Sequence, residues 1–240
     1  MPSFNNLSNL KDCVLSIENQ AYKNIEVWII DGDSTDGTQS YLKSLKVTFN
    51  WVSEKDKGIY DAMNKGISLS KGKWLLFLGA DDKLYSKETL NNIFNKPIDN
   101  STELILGKIK FDWKKNDTYF IKKNNGVITP SWSDQIWIKN TLPHQGIFYN
   151  RNVFEDVDYS LNYGILADYA LNLKLYKEKL KVKVIDTVIS ICATNGISKK
   201  YSWKLYKEEI KLKTEASSIV LKPFFLFISG VKYIVKRLGF

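Results

Sequence analysis

The chain has 240 residues, 44% of them hydrophobic and 25% charged, which is enough to bury one substantial core with a small appendage. A formal charge of +9 calls for an anionic partner, either the phosphates of a small ligand or a membrane surface. Nucleic acid is set aside, because the basic residues are scattered and no zinc finger, helix-turn-helix or RNA-binding signature is present.

The first twenty residues are polar and hold no apolar leader core. Leu7 to Gln20 predicts a helix with Leu10, Val14 and Ile17 on one face and Asn5 or Ser8 as cap. Cys13 and the distant Cys192 form no metal or redox motif and read as buried thiols of a reducing compartment. Ile25 to Ile30 is a short apolar strand. The run Asp31-Gly-Asp-Ser-Thr-Asp-Gly-Thr then turns into a helix ending near Leu45, with Ser34 or Thr35 as cap. Val47 to Val52 is a second strand, and Ile59 to Leu69 an amphipathic helix with Ile59, Met63 and Ile67 inward. Trp74 to Leu78 is a third strand.

Strands alternating with helices imply an α/β fold, a mostly parallel sheet covered on both faces. Ligands bind such sheets at the carboxyl ends of the strands, so Asp31 and the pair Asp81-Asp82 should share one crevice. Two carboxylates at the mouth of an apolar strand resist burial unless a cation or donors meet them. A hard divalent ion bridging to a phosphate suits them. The plainer reading is a polar turn, with Ser86 capping the next helix.

Beyond Asn100 the pattern changes. Glu103 to Trp113 and Thr118 to Lys122 predict paired strands around a turn at Lys114 to Asp117. A stretch with Trp132 and Trp137 leads to Leu-Pro-His-Gln-Gly and a strand at Ile147 to Tyr149. Leu166 to Lys179 predicts a helix with Leu171, Leu175 and Tyr176 on one face, and Val182 to Ile191 a last strand.

These segments carry a resemblance. Pro2-Ser-Phe-Asn5, Ser16-Ile-Glu-Asn-Gln20, Ile29-Ile-Asp-Gly-Asp-Ser-Thr-Asp-Gly-Thr38 and Ser53-Glu-Lys-Asp-Lys-Gly-Ile-Tyr-Asp-Ala-Met-Asn-Lys-Gly66 come in order. Phe77-Leu-Gly-Ala-Asp-Asp82, Pro143-His-Gln-Gly146 and Ala167-Asp-Tyr169 follow. Over residues 1–200 the chain resembles the bacterial family 2 glycosyltransferases of the GT-A fold that build capsule, O-antigen or other exopolysaccharide units. The resemblance implies a GT-A domain at 1–200 and a helical tail at 201–240. It also implies transfer of a sugar from a nucleoside diphosphate sugar to a glycan or polyprenyl-linked acceptor, with inversion and with Mn²⁺ or Mg²⁺. By position, Asp31 would read the base, Asp82 with Asp81 would hold the metal, and Asp168 would deprotonate the acceptor. Pro2, Ser3, Asn5, Ser34, Asp61, Asn64 and Asp81 are implied on the nucleotide-sugar side.

His144 is the only histidine. Its loop after Pro143 is compatible with acceptor contact or a metal-side role, shared with Gln145, and equally with a hydrogen-bonded structural residue. Asp61 and Asn64, three apart on a helix, face the same way. Lys57 or Lys65 could meet phosphate, although a solvated face suits Lys65 better.

Two departures from the pattern bear on the expectations. Gly79 stands where many relatives carry another Asp, which loosens the expected metal site. Relatives also place an apolar strand just before the Pro2 segment, where this sequence has Met1, so the first strand is expected to be missing and the true start to lie upstream. From Ile219 onward the tail is apolar, basic near its end, and interrupted by Lys222, Pro223 and Gly230. It is expected to form an interfacial helix pair on anionic lipid at the cytoplasmic face of the membrane, against the alternative of packing on the chain's own core. A nucleotidyltransferase, or a non-catalytic subunit of a transferase, are the competing functions. The first would want a Gly-rich basic phosphate loop, which Pro2 to Asn9 does not offer.

Overall fold

The computed structural model describes residues 1–112, 125–194 and 202–237. The turn and return strand expected at 114–122 lie outside the described residues. Strands β1 (Pro2–Ser3), β2 (Val27–Asp31) and β3 (Phe49–Ser53) form a parallel sheet in the order β1-β2-β3. Helices α1 (Leu7–Glu18), α2 (Thr38–Ser44) and α3 (Ile59–Leu69) alternate with them. The cap expected at Ser34 or Thr35 falls elsewhere. Gly37 opens α2 at φ 93°, and Asp36 accepts the Thr38 N–H at 3.1 Å.

A second, mixed sheet runs β4-β8-β6-β9-β5. It comprises β4 (Trp74–Leu76), β5 (Lys83–Leu84), β6 (Leu104–Phe111), β8 (Ile147–Asn150) and β9 (Val182–Cys192), with β7 (Val127–Ile128) beside β6. Strand β4 pairs antiparallel with β8, and β6 pairs parallel with β9. Helix α4 (Thr89–Phe94) follows β5, and α5 (Ala167–Lys177) precedes β9. Alternation along β6 and β8 sends Leu104, Leu106, Ile147 and Tyr149 into a core shared with α3 and α5. Ile105 and Phe148 point into another core shared with α1 and α4. Helices therefore cover both faces of the mixed sheet.

The two sheets do not join edge to edge. Strand β1 is only two residues long, and the Met1 amine donates to the Trp28 carbonyl at 2.8 Å. Beyond it a groove of about 490 Å³ separates β2 from β4, lined by Val27, Trp28, Ile67, Trp74, Leu76 and Phe94.

Helix α6 (Trp203–Ala216) belongs to the main body, because Leu212 lies in the core shared with α3 and α5. Helix α7 (Lys222–Arg237) packs against α6 but buries only Phe225 and Ser229. The interruptions expected in the tail do not break it. Pro223 sits in the first turn, where its missing N–H costs nothing, and the helix passes straight through Gly230. A charged knot ties α7 down. Glu209 accepts from Lys213 at 2.5 Å and from Lys232 at 2.6 Å, and both lysines also donate to the Ile138 carbonyl. Among the described residues no helix is long and apolar enough to cross a membrane.

Candidate active site

Two carboxylate centres face each other across one turn. Asp168 is the second residue of α5, nine-tenths buried. Its Oδ1 accepts from the Tyr60 hydroxyl of α3 at 3.1 Å, and its Oδ2 meets His144 Nδ1 at 3.1 Å and Asn140 Nδ2 at 3.5 Å. Asp82 lies in the loop after β4 and is 3% exposed. Its Oδ2 accepts the Gly79 N–H at 2.8 Å, while the Asp82 N–H donates to the Gly79 carbonyl at 3.1 Å, closing a tight turn.

The 3-10 turn His144–Gly146 bridges these centres. His144 reaches Asp168, and the His144 charge and the neighbouring Gln145 side chain both act to lower the Asp82 pKa against its burial. Ser190 of β9 donates to the Gln145 carbonyl at 2.8 Å and fixes the turn. Gly146 is required there, because a Cβ would stand 2.7 Å from the Gly107 carbonyl oxygen.

Electrostatics follow from burial. Removal from water pushes the Asp82 carboxyl up to about 6, and the charge of Asp81 adds to the shift. Burial alone would lower the His144 pKa, but its bond to Asp168 and the charges of Asp168 and Asp82 overcome that and raise it.

Asp81 and Asp82 differ in kind. Asp81 is partly exposed, and its Oδ1 lies 2.8 Å from where a Cβ on Gly79 would stand. The missing side chain at position 79 therefore leaves the space into which the Asp81 carboxylate folds. Asp82, expected as the main ligand, is turned inward on its own loop.

The nucleotide-side residues also separate. Asp31, expected to read a base, is fully buried, and its carboxylate is held by the Ser34 N–H and hydroxyl at 3.0 and 2.5 Å and by Ser53 at 2.6 Å. It holds the turn in shape with both of its carboxylate oxygens engaged. Asn5 joins the same turn, donating its N–H to Ser34 Oγ at 2.7 Å and accepting the Thr35 N–H at 2.9 Å. Asn64 is consumed by the backbone of Tyr159, at 2.8 and 2.9 Å, and holds that loop. Asp61 remains half-exposed, receiving the Lys57 N–H at 2.9 Å. Pro2 and Ser3 form β1 beside Ile30 and Asp31.

Sequence reasoning missed four residues. Phe4, 63% exposed, and the half-buried Asp56 both approach Gly32, within 3.3 and 2.8 Å of where its Cβ would be. A flat apolar ring beside an acceptor carboxylate suits a base. Tyr60 and Asn140 complete the Asp168 cluster. The exposed aromatic in the Pro2 segment was the one visible signal for Phe4; partnering across more than a hundred residues left none for Tyr60.

The chain also matches known proteins in sequence and in fold. The sequence profile described as "Glycosyl transferase family 2" matches residues 1–158. The chain belongs to that family. A relative named PGL/p-HBAD biosynthesis glycosyltransferase, from Mycobacterium bovis, is 32% identical over 187 residues, covering 73% of this chain and 68% of its own. Poly(ribitol-phosphate) beta-N-acetylglucosaminyltransferase TarP of Staphylococcus aureus is 32% identical over 120 residues, 48% of this chain and 36% of its own. In structure, S. aureus TarS in complex with UDP-GlcNAc superposes with a TM-score of 0.67 at 16% identity, over 100% of this chain and 71% of that one. The mannosyltransferase PcManGT from Pyrobaculum calidifontis, in complex with GDP-Man and Mn²⁺, gives 0.63 at 16%, over 99% and 73%. The glycosyltransferase thus has the GT-A fold, and family membership favours sugar transfer over nucleotidyl transfer.

Proposed function

We propose that this glycosyltransferase moves a sugar from a nucleoside diphosphate sugar to a lipid-linked glycan acceptor, inverting the anomeric centre. The observation that carries the reading is the His144–Gly146 turn, whose His144 hydrogen-bonds Asp168 and feels the charge of the buried Asp82, which we read as the donor side of the same crevice. A single displacement needs that arrangement. Asp168 takes the proton of the acceptor hydroxyl as its oxygen bonds to the anomeric carbon, and the bond from that carbon to the diphosphate breaks on the opposite face. Tyr60, His144 and Asn140 hold the Asp168 carboxylate in place, and its spare lone pairs accept the proton.

The donor set fits a hard divalent ion. Among the described residues no group of three or more His, Cys, Asp or Glu could hold a metal alone. Mn²⁺ or Mg²⁺ held by one carboxylate together with substrate phosphates is the arrangement such a site supports. In our reading Asp81 contacts the ion and Asp82 anchors the loop beneath it. When bound, the ion would neutralise charge gathering on the departing diphosphate. Phe4 and Asp56 offer a stacking face and an acceptor for the base, while Asp31, Ser34 and Asn5 hold that turn in shape.

The experiment that tests the reading is a donor screen with Mn²⁺ and host lipid extract. UDP-GlcNAc, the ligand in the TarS complex, is the first donor to try, followed by other UDP- and GDP-sugars. Release of nucleoside diphosphate only when lipid extract is present supports it; no donor giving extract-dependent release would sink it.

The membrane side of the proposal rests on α7. Phe224, Phe227, Val231 and Ile234 form one exposed apolar stripe, with Lys222, Lys236 and Arg237 at its ends. Such a helix lies in the headgroup region of an anionic bilayer, which puts the enzyme on the cytoplasmic face beside a polyprenyl-linked acceptor. The full chain is expected to pellet with vesicles containing phosphatidylglycerol, and a chain ending at Ser217 to stay in the supernatant. Equal pelleting of both would remove α7 as the anchor.

A further inference from the structure

The loop that delivers Asp168 is held by α6. Glu208 accepts three consecutive backbone N–H groups, those of Gly164 at 3.1 Å, Ile165 at 2.9 Å and Leu166 at 3.1 Å. Two further side chains one and two turns along the same helix face grip the same loop. Lys211 donates to the Asn162 carbonyl at 3.5 Å and lies over the Tyr163 ring, while Glu215 accepts the Tyr163 hydroxyl. On the other side of the loop the Ile165 carbonyl accepts from the Tyr60 hydroxyl at 2.7 Å, the same hydroxyl that reaches Asp168.

Glu208 touches neither Asp168 nor the crevice bridge. It acts through the loop. Three amides that precede α5 have no carbonyl partners within that helix, and one carboxylate satisfies them together. With those amides fixed, the Ile165 carbonyl is fixed, and with it the Tyr60 hydroxyl and the Asp168 side chain. A chain of four hydrogen-bonded groups therefore runs from the C-terminal part of the molecule to the proton acceptor.

We infer that Glu208 is a positioning residue for the transfer step, setting the location of Asp168 through the 164–166 loop and Tyr60. The inference rests on Asp168 being the base. Misplacing a reacting group by about 1 Å costs on the order of 10²-fold in rate, so loss of the clamp falls on turnover and not on donor binding.

The test compares Glu208→Ala, Glu208→Gln and Asp168→Asn in the full chain. With the donor and lipid extract identified by the screen, Glu208→Ala is expected to lower kcat per folded molecule about 10–100-fold, leaving the donor KM within twofold. Glu208→Gln keeps one acceptor oxygen and is expected to recover most of the loss. A purely structural role would lower the folded fraction and leave kcat per folded molecule alone. Amide exchange gives a second readout that needs no substrate: peptides covering 162–168 should exchange faster in Glu208→Ala, with those of β6 and β9 unchanged. Faster exchange with kcat within threefold of the parent overturns the inference, as does unchanged exchange. If Asp168→Asn itself keeps full turnover, the reading of the base falls instead, and the two failures stay distinct.

Discussion

Asp168→Asn is expected to lower kcat by about 10²–10⁴-fold, the range that a positioned general base contributes, while the donor binds within twofold of the parent. The substitution is chosen for its shape. Asparagine fills the same volume and still accepts from Tyr60, so the cluster with Asn140 and His144 changes by one atom. What is lost is the lone pair that takes the acceptor proton. Stopped assays of diphosphate release, together with calorimetric titration of UDP, separate turnover from binding. Transfer within threefold of the parent would remove Asp168 from the chemistry.

Chelation and Asp81→Asn are expected to act on the donor side with similar force. If an ion bridges Asp81 and a diphosphate, EDTA should weaken UDP binding about 10²-fold, the equivalent of roughly 3 kcal/mol, with restoration by Mn²⁺. Asp81→Asn should do the same in the presence of Mn²⁺. Asp82→Asn should behave differently, because that carboxylate is buried in its own turn on the Gly79 N–H. Its loss is expected mainly as a lower melting temperature. Equal UDP affinity with and without EDTA would dismiss the ion, and a larger binding defect for Asp82→Asn than for Asp81→Asn would reverse their parts.

Much of this site was legible in sequence, and the boundary of legibility has physical causes. Alternating helices and strands gave the layer architecture, and α3 runs over the expected Ile59–Leu69. Asp31 ends β2 and the pair Asp81-Asp82 follows β4, as the apolar runs before them implied. Which of the two adjacent acids turns inward was not legible. Neighbours such as Asp81 and Asp82 share composition and setting, and only the turn closed on Gly79 decides which one turns inward. Asp31 and Asn64 were assigned to the ligand because polar side chains at strand and helix ends suit ligands. They equally suit structural partners: Asp31 bonds Ser34 of its own turn and Ser53 of β3, and Asn64 bonds the backbone of the distant Tyr159. The tail misled in a similar way. Pro223 and Gly230 read as breaks, yet a proline in the first turn and one glycine inside a long helix are both tolerated. Helix periodicity also reports a face without its partner, so nothing announced that α6 would clamp the loop before Asp168.

The groove between the sheets has a practical side for anyone handling this enzyme. The Met1 amine sits at its inner end, and burial lowers its pKa to about 6. An affinity tag or label attached there would begin beside the groove and turn a buried amine into a neutral amide. Tag position is therefore a structural variable, and assays on N-terminally fused protein compare two different molecules.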